Sequence, residues 1–150
     1  NEWEVASGVP HIPFEALDEN YEIDREAYLK YFRKMHHLFP KCKKMVMAVR
    51  NQIASSHHTL SGLLYDAVED QLYTTRIYDI EPIVDPMGVG DAFVAAYIHA
   101  HQKWGDKNQY CLDFSLSASA IKNTIPGDQN LVSEEEIISN MTSSGGRIQR

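Results

Sequence analysis

An α/β fold with helices layered on strands is predicted by three features of this 150-residue sequence. Segments of helical period flank short strand-like runs, a glycine-rich loop stands directly before one helical segment, and the apolar content is ordinary for one packed core. A chain of this length hides roughly 70% of the surface its unfolded form exposes, enough for a single domain.

The first element is a helix. Asp24 is a suitable N-cap, and Ala27, Tyr28, Tyr31, Phe32, Met35 and Leu38 follow at spacings of one, three or four until Pro40 stops the pattern. Residues 45–49 form a short apolar run with a basic front, which predicts a buried inner strand. Residues 60–65 and 71–78 are rich in Leu, Tyr, Thr and Ile and predict a β-hairpin around the polar stretch 66–70. Next come Asp85-Pro86-Met87-Gly88-Val89-Gly90-Asp91 and a helix whose Ala92, Phe93, Ala96, Tyr97 and Ala100 share one face up to Trp104-Gly105. Residues 113–122, rich in Ala, Ser and Leu, predict a second, closely packed helix stopped near Pro126-Gly127. Ser133 to Glu136 form a capping box that opens a short last helix, and residues 143–150 read as a flexible tail.

With 14 lysines and arginines against 21 acidic residues, the net charge of −7 argues against a nucleic-acid or anionic-membrane partner. Any anionic ligand must be gripped locally. No stretch approaches the roughly eighteen apolar residues of a membrane span, and no signal-peptide pattern opens the chain. Cys42 and Cys111 lie too far apart in sequence to suggest a disulfide framework, so reduced thiols in the cytoplasm are expected. The chain starts at Asn1 rather than Met, which suggests a processed chain or a fragment.

The local grip is offered by Gly88, Val89 and Gly90 at a helix start. The first turn leaves N–H groups without partners, the helix dipole adds about half a positive charge, and glycines let an oxyanion approach the backbone. Asp91 is out of place in a site built only to bind an anion. It has two readings: a base that takes a proton from an acceptor hydroxyl, or an acidic residue that merely favours the helix N-terminus. A dinucleotide fingerprint is excluded because Phe93 stands where its third glycine belongs, and there is no Walker A sequence. His99 and His101 point to different helix faces and are no metal pair.

The run Asp85-Pro86-Met87-Gly88-Val89-Gly90-Asp91-Ala92-Phe93 resembles the C-terminal signature of the ribokinase-like (PfkB) carbohydrate kinases, Asp-Thr-x-Gly-Ala-Gly-Asp-x-Phe. The resemblance implies the C-terminal, nucleotide-binding half of a three-layer α/β/α sandwich over residues 1–150. It also implies an anion hole at Gly88, Val89 and Gly90, with Asp91 as catalytic base. Asn1-Glu2-Trp3-Glu4 looks like the family's Asn-x-x-Glu motif, so Asn1 and Glu4 are expected to organise Mg2+ through water. The stretch from Ala118 to Asn123 is similar to the adenine-pocket helix, which places nucleotide contacts on Ala120 and Asn123. Thr124-Ile125-Pro126-Gly127-Asp128 looks most like 2-keto-3-deoxygluconate kinases, and implies that Asp128 touches a sugar acid.

The family's Thr-x-Gly-x-x-Gly turn is replaced by Ala48-Val49-Arg50-Asn51-Gln52-Ile53, where Arg50 either contacts phosphate instead or faces the sheet edge. The segment from Ala54 to Thr59 that follows is unusual for the family and is expected to reshape the nucleotide site. A monovalent cation such as K+ near Asp85 is a further expectation from relatives. The resemblance thus implies an ATP- and Mg2+-dependent kinase of a sugar or sugar acid, homodimeric at full length and inactive as this segment alone. The alternatives are a kinase of fructose, ribose or adenosine, or a catalytically silent ligand-binding homologue.

Overall fold

The computed structural model describes residues 22–143 and the backbone of 147–148. Asn1 and Glu4 lie outside the described residues. The chain divides into two compact units, Asn1–Val46 with Leu64–Leu72, and Met47–Leu63 with Tyr73–Arg150.

In the first unit, helix α1 (Arg25–Leu38) starts where its cap dictates: the Asp24 carboxylate accepts from the N–H groups of Glu26 and Ala27 at 3.1 and 3.0 Å. Tyr28, Tyr31, Phe32 and Met35 form the buried stripe, whereas Leu38, in the last turn, is 47% exposed. Phe32 stacks on Tyr65 with ring centroids 5.7 Å apart. Arg33 forks onto Asp70 at 2.9 and 2.6 Å and, with the Tyr65 hydroxyl, holds that carboxyl down at about 2.

The sheet comprises β1 (Lys44–Ala54), β2 (His57–Asp66), β3 (Gln71–Thr74), β4 (Tyr78–Ile80) and β5 (Arg147–Ile148). Its order is β1-β2-β4-β5, with β3 also paired to β2. β4 runs antiparallel to β2, setting Thr59 opposite Asp79, and β5 runs parallel to β4. One expectation changes here. The predicted inner strand is an edge strand of eleven residues in which only Val49 is buried, and β2 is the buried one. The reason is visible in Arg50-Asn51-Gln52, polar residues that suit an unpaired edge. The unusual segment 54–59 holds the end of β1, a two-residue turn, Ser55-Ser56, and the start of β2. Residues 147–148, within the expected tail, form β5.

The second arm of the predicted hairpin breaks into β3 and β4 because Thr75 swaps a ladder contact for a side-chain one: its hydroxyl accepts from Gly62 N–H at 2.8 Å. Arg76 then donates to Asn140 O and Ser143 O, at 2.7 and 2.6 Å.

Helices α2 (Val89–Trp104), α3 (Asn108–Lys122) and α4 (Glu134–Thr142) complete the second unit. α3 starts five residues before the predicted Asp113, a start without a local signal because Lys107 makes no side-chain cap bond and Asn108-Gln109 carry no apolar period. Every residue from Phe114 to Lys122 is buried, which explains why its face is small on all sides. Ala96 and Ala100 of α2 pack with Cys111, Phe114 and Ala118 of α3, and Ile137 of α4 closes the cluster. The capping box is present as predicted: Glu136 N–H donates to Ser133 Oγ at 3.2 Å and Ser133 N–H to Glu136 Oε2 at 2.9 Å. Ser133→Ala is expected to lower stability by about 1 kcal/mol in urea unfolding, without a change in slope.

His58 of β2 is 3% exposed, and neither ring nitrogen has a hydrogen-bond partner among the described residues. Burial, reinforced by Arg50 and His57, lowers its pKa, so the folded chain favours the neutral ring. The unfolded chain therefore binds more protons just below its ordinary pKa, and the stability due to neutral His58 is lost as pH falls below about 6.5. Thermal unfolding of His58→Phe is expected to lose part of the wild-type drop in Tm between about pH 7 and pH 5.

Candidate active site

Gly88 caps α2 in the left-handed region, φ +74°, which an L side chain rarely adopts. The first α2 hydrogen bond runs from Ala92 N–H to Gly88 O at 2.9 Å, so the amides of Val89, Gly90 and Asp91 precede the intrahelical ladder. Val89 is buried, while Gly90 and Asp91 face solvent. A Cβ on Gly90 would meet nothing within 4 Å, which leaves room for a ligand against the backbone. The Asp91 carboxylate has no hydrogen-bond or ion-pair partner among the described residues and stands in the first turn of α2. The candidate anion hole and the candidate base thus share one turn.

The loop after α3 closes onto this turn. A Cβ on Gly88 would fall 2.4 Å from Asp128 O, so Asp128 is brought to the glycine loop, with its residue exposed. Asp85 ties the same two loops together: Oδ1 accepts from Met87 N–H at 2.9 Å and Oδ2 from Gly127 N–H at 2.8 Å. Those two backbone bonds, with the charge of Lys122, hold the Asp85 carboxyl below the usual carboxylate range. The expectation of a cation at Asp85 meets a different arrangement, in which both oxygens turn to N–H donors.

Ala120 is wholly buried, and the Asn123 amide is also buried, donating to Ser119 O at 3.0 Å. The Asn123 carbonyl accepts from Val84 and Asp85 N–H at 2.8 and 3.2 Å. Arg50 is exposed on the edge strand β1. Two residues were missed by sequence reasoning. Ser119 Oγ donates to Val89 O at 3.0 Å, and Lys122, with no exposed surface, donates from Nζ to Ile125 O at 3.0 Å. Lys122 had a signal, a charge in a stretch rich in Ala, Ser and Leu, whereas Ser119 was one hydroxyl beside those of Ser115 and Ser117. Along α2 lies a cleft of about 280 Å³ lined by Ala92, Ala96, Phe114, Asn130 and Glu134. Glu134 is already paired with His99 and Lys103.

Among the described residues, no group of three or more His, Cys, Asp or Glu side chains could hold a metal ion, and no helix is long and apolar enough to cross a membrane.

No protein-family profile matches the chain, and no curated protein does. Solved structures do. A 2-dehydro-3-deoxygluconokinase from Thermotoga maritima is 27% identical with a TM-score of 0.79, over 93% of this chain and 38% of that one. A PfkB family carbohydrate kinase from Listeria grayi is 26% identical with a TM-score of 0.73, over 89% of this chain and 40% of its own. An Enterococcus faecalis protein, provisionally a 2-keto-3-deoxygluconate kinase, shares the fold at 15% identity and a TM-score of 0.67, over 93% of this chain and 42% of its own. The chain therefore spans about two fifths of the length of these kinases and carries the fold of that part, a ribokinase-like α/β/α architecture.

Proposed function

We propose that this chain is the phosphoryl-transfer part of an ATP-dependent kinase whose acceptor is a sugar acid, 2-keto-3-deoxygluconate. The observation that carries the reading is the shared turn: open amides at Gly88, Val89 and Gly90, an unpartnered Asp91 carboxylate beside them, and Asp128 drawn against Gly88. The likeness to a 2-dehydro-3-deoxygluconokinase supports the choice of acceptor.

In this reading Asp91 takes the proton of the acceptor's primary hydroxyl as that oxygen bonds to the γ-phosphorus, and the bond from phosphorus to the β–γ bridging oxygen breaks to release ADP. The loop amides hold the γ-phosphoryl oxygens. Each preorganised donor contributes roughly 2.7–4 kcal/mol to the transition state, against ~0.3–2 kcal/mol from the helix dipole, so hydrogen bonding dominates. Asp128 accepts a hydrogen bond from an acceptor hydroxyl. Mg2+ would come with ATP and neutralise the charge of its phosphates, and the resemblance gives its organisation through water to Asn1 and Glu4, outside the described residues.

The test is ADP release by the full-length protein with 2-keto-3-deoxygluconate, fructose, ribose and adenosine as acceptors. The expected outcome is a kcat/KM at least about 100-fold higher for the sugar acid, a gap of about 2.7 kcal/mol. Equal rates on ribose would overturn the acceptor. A second reading, a silent ligand-binding homologue, is favoured by one observation: β1 runs unbroken through residues 48–53, where kinases of this kind turn on two glycines. Calorimetry that detects no ADP binding would support that reading instead.

A further inference from the structure

Asp85 and Lys122 flank the loop that joins α3 to Asp128, and each holds it by a different backbone group. The Asp85 carboxylate receives Gly127 N–H at 2.8 Å while its other oxygen receives Met87 N–H at 2.9 Å. Lys122 Nζ donates to Ile125 O at 3.0 Å from a position with no solvent exposure. Between them, Asn123 O accepts the N–H groups of Val84 and Asp85. A buried ammonium is costly unless it is paired and hydrogen-bonded, and a carboxylate ringed by amides favours its charged form. The two charges act on each other, since Lys122 is among the causes that hold the Asp85 carboxyl low.

We propose that Lys122 and Asp85 form a built-in clamp, in which the fixed ammonium supplies the positive charge at this loop junction and the carboxylate locks the phosphoryl-binding turn to the Asp128 loop, so that the site needs no monovalent cation. Resting on the kinase reading above, the proposal makes both residues positioning residues, because neither touches the reacting atoms. It also makes acceptor binding and phosphoryl transfer interdependent: what moves Gly127 moves Met87.

The experiment is amide hydrogen exchange at Gly127 and Met87, read by NMR on the full-length protein without substrate, in matched K+, Na+ and tetramethylammonium buffers. Exchange is expected to be the same in all three. Slowing by K+ of more than about threefold would overturn the clamp, whatever the kinase assay shows. Asp85→Asn turns an NH2 donor toward one of the two amides, and is expected to speed exchange there at least about tenfold. Asp91→Asn should leave both amides unmoved. In kinetics, Asp85→Asn is expected to raise the acceptor KM and lower kcat with little change in the ATP KM; an effect on the ATP KM alone would count against it. If Lys122→Met fails to fold, the buffer comparison on the natural protein still decides. If the kinase assay is silent while exchange is independent of cation, the function fails and the clamp stands.

Discussion

Asp91→Asn is expected to lower kcat by on the order of 10²–10⁴ while leaving ATP affinity nearly unchanged. The amide is close in size and can still face the acceptor, but it cannot take a proton. Because Asp91 is exposed and makes no hydrogen bond or ion pair among the described residues, removing its charge disrupts no partner, so the fold should be untouched. Near-wild-type turnover in the variant would leave the carboxylate only its role at a helix N-terminus. ATP binding should even tighten slightly, since a negative charge beside the phosphates has gone.

Among the described glycines, Gly88→Ala is expected to be the most damaging, at roughly 2–5 kcal/mol of stability. Two causes add. A left-handed φ costs an L-residue about 1–2 kcal/mol, and a Cβ only 2.4 Å from Asp128 O strikes backbone, which cannot swing aside like a side chain, for about 1–3 kcal/mol more. Gly90→Ala is the control. Its Cβ meets nothing and its φ is ordinary, so stability should hold or rise by up to about 1 kcal/mol, while kcat/KM falls because a methyl crowds the phosphate approach. Urea unfolding and turnover of the two variants separate packing from chemistry.

How much of this was legible in the sequence depends on whether the signal is local. The cap at Asp24, the stripe of α1, the box at Ser133 and Glu136 and the helix opening at Gly88 are fixed within a few residues, and all stand in the structure. β1 was misplaced because an apolar run of five residues does not tell a centre from an edge; only pairing does. The start of α3 was missed because its first turn is polar and uncapped. In the site, Asp85-Pro86 carried a readable sign, since an aspartate before proline favours a turn closed by its own side chain, as Met87 N–H now shows. Its second bond, to Gly127 forty-two residues on, had no local trace. The burial of Ala120 and Asn123 likewise has no local trace, because it follows from packing against the rest of the fold.

Small side chains at Ala96, Ala100 and Ala118 let α2 and α3 draw together, near enough that the Ser119 hydroxyl reaches the carbonyl of Val89. That seam behaves as a lever with its short arm under the turn from Gly88 to Asp91. A wedge driven in at the far end, such as Ala100→Leu, would spread the two rods and prise Val89 off its hydroxyl stop, detuning the chemistry from more than two helical turns away without any contact with either substrate.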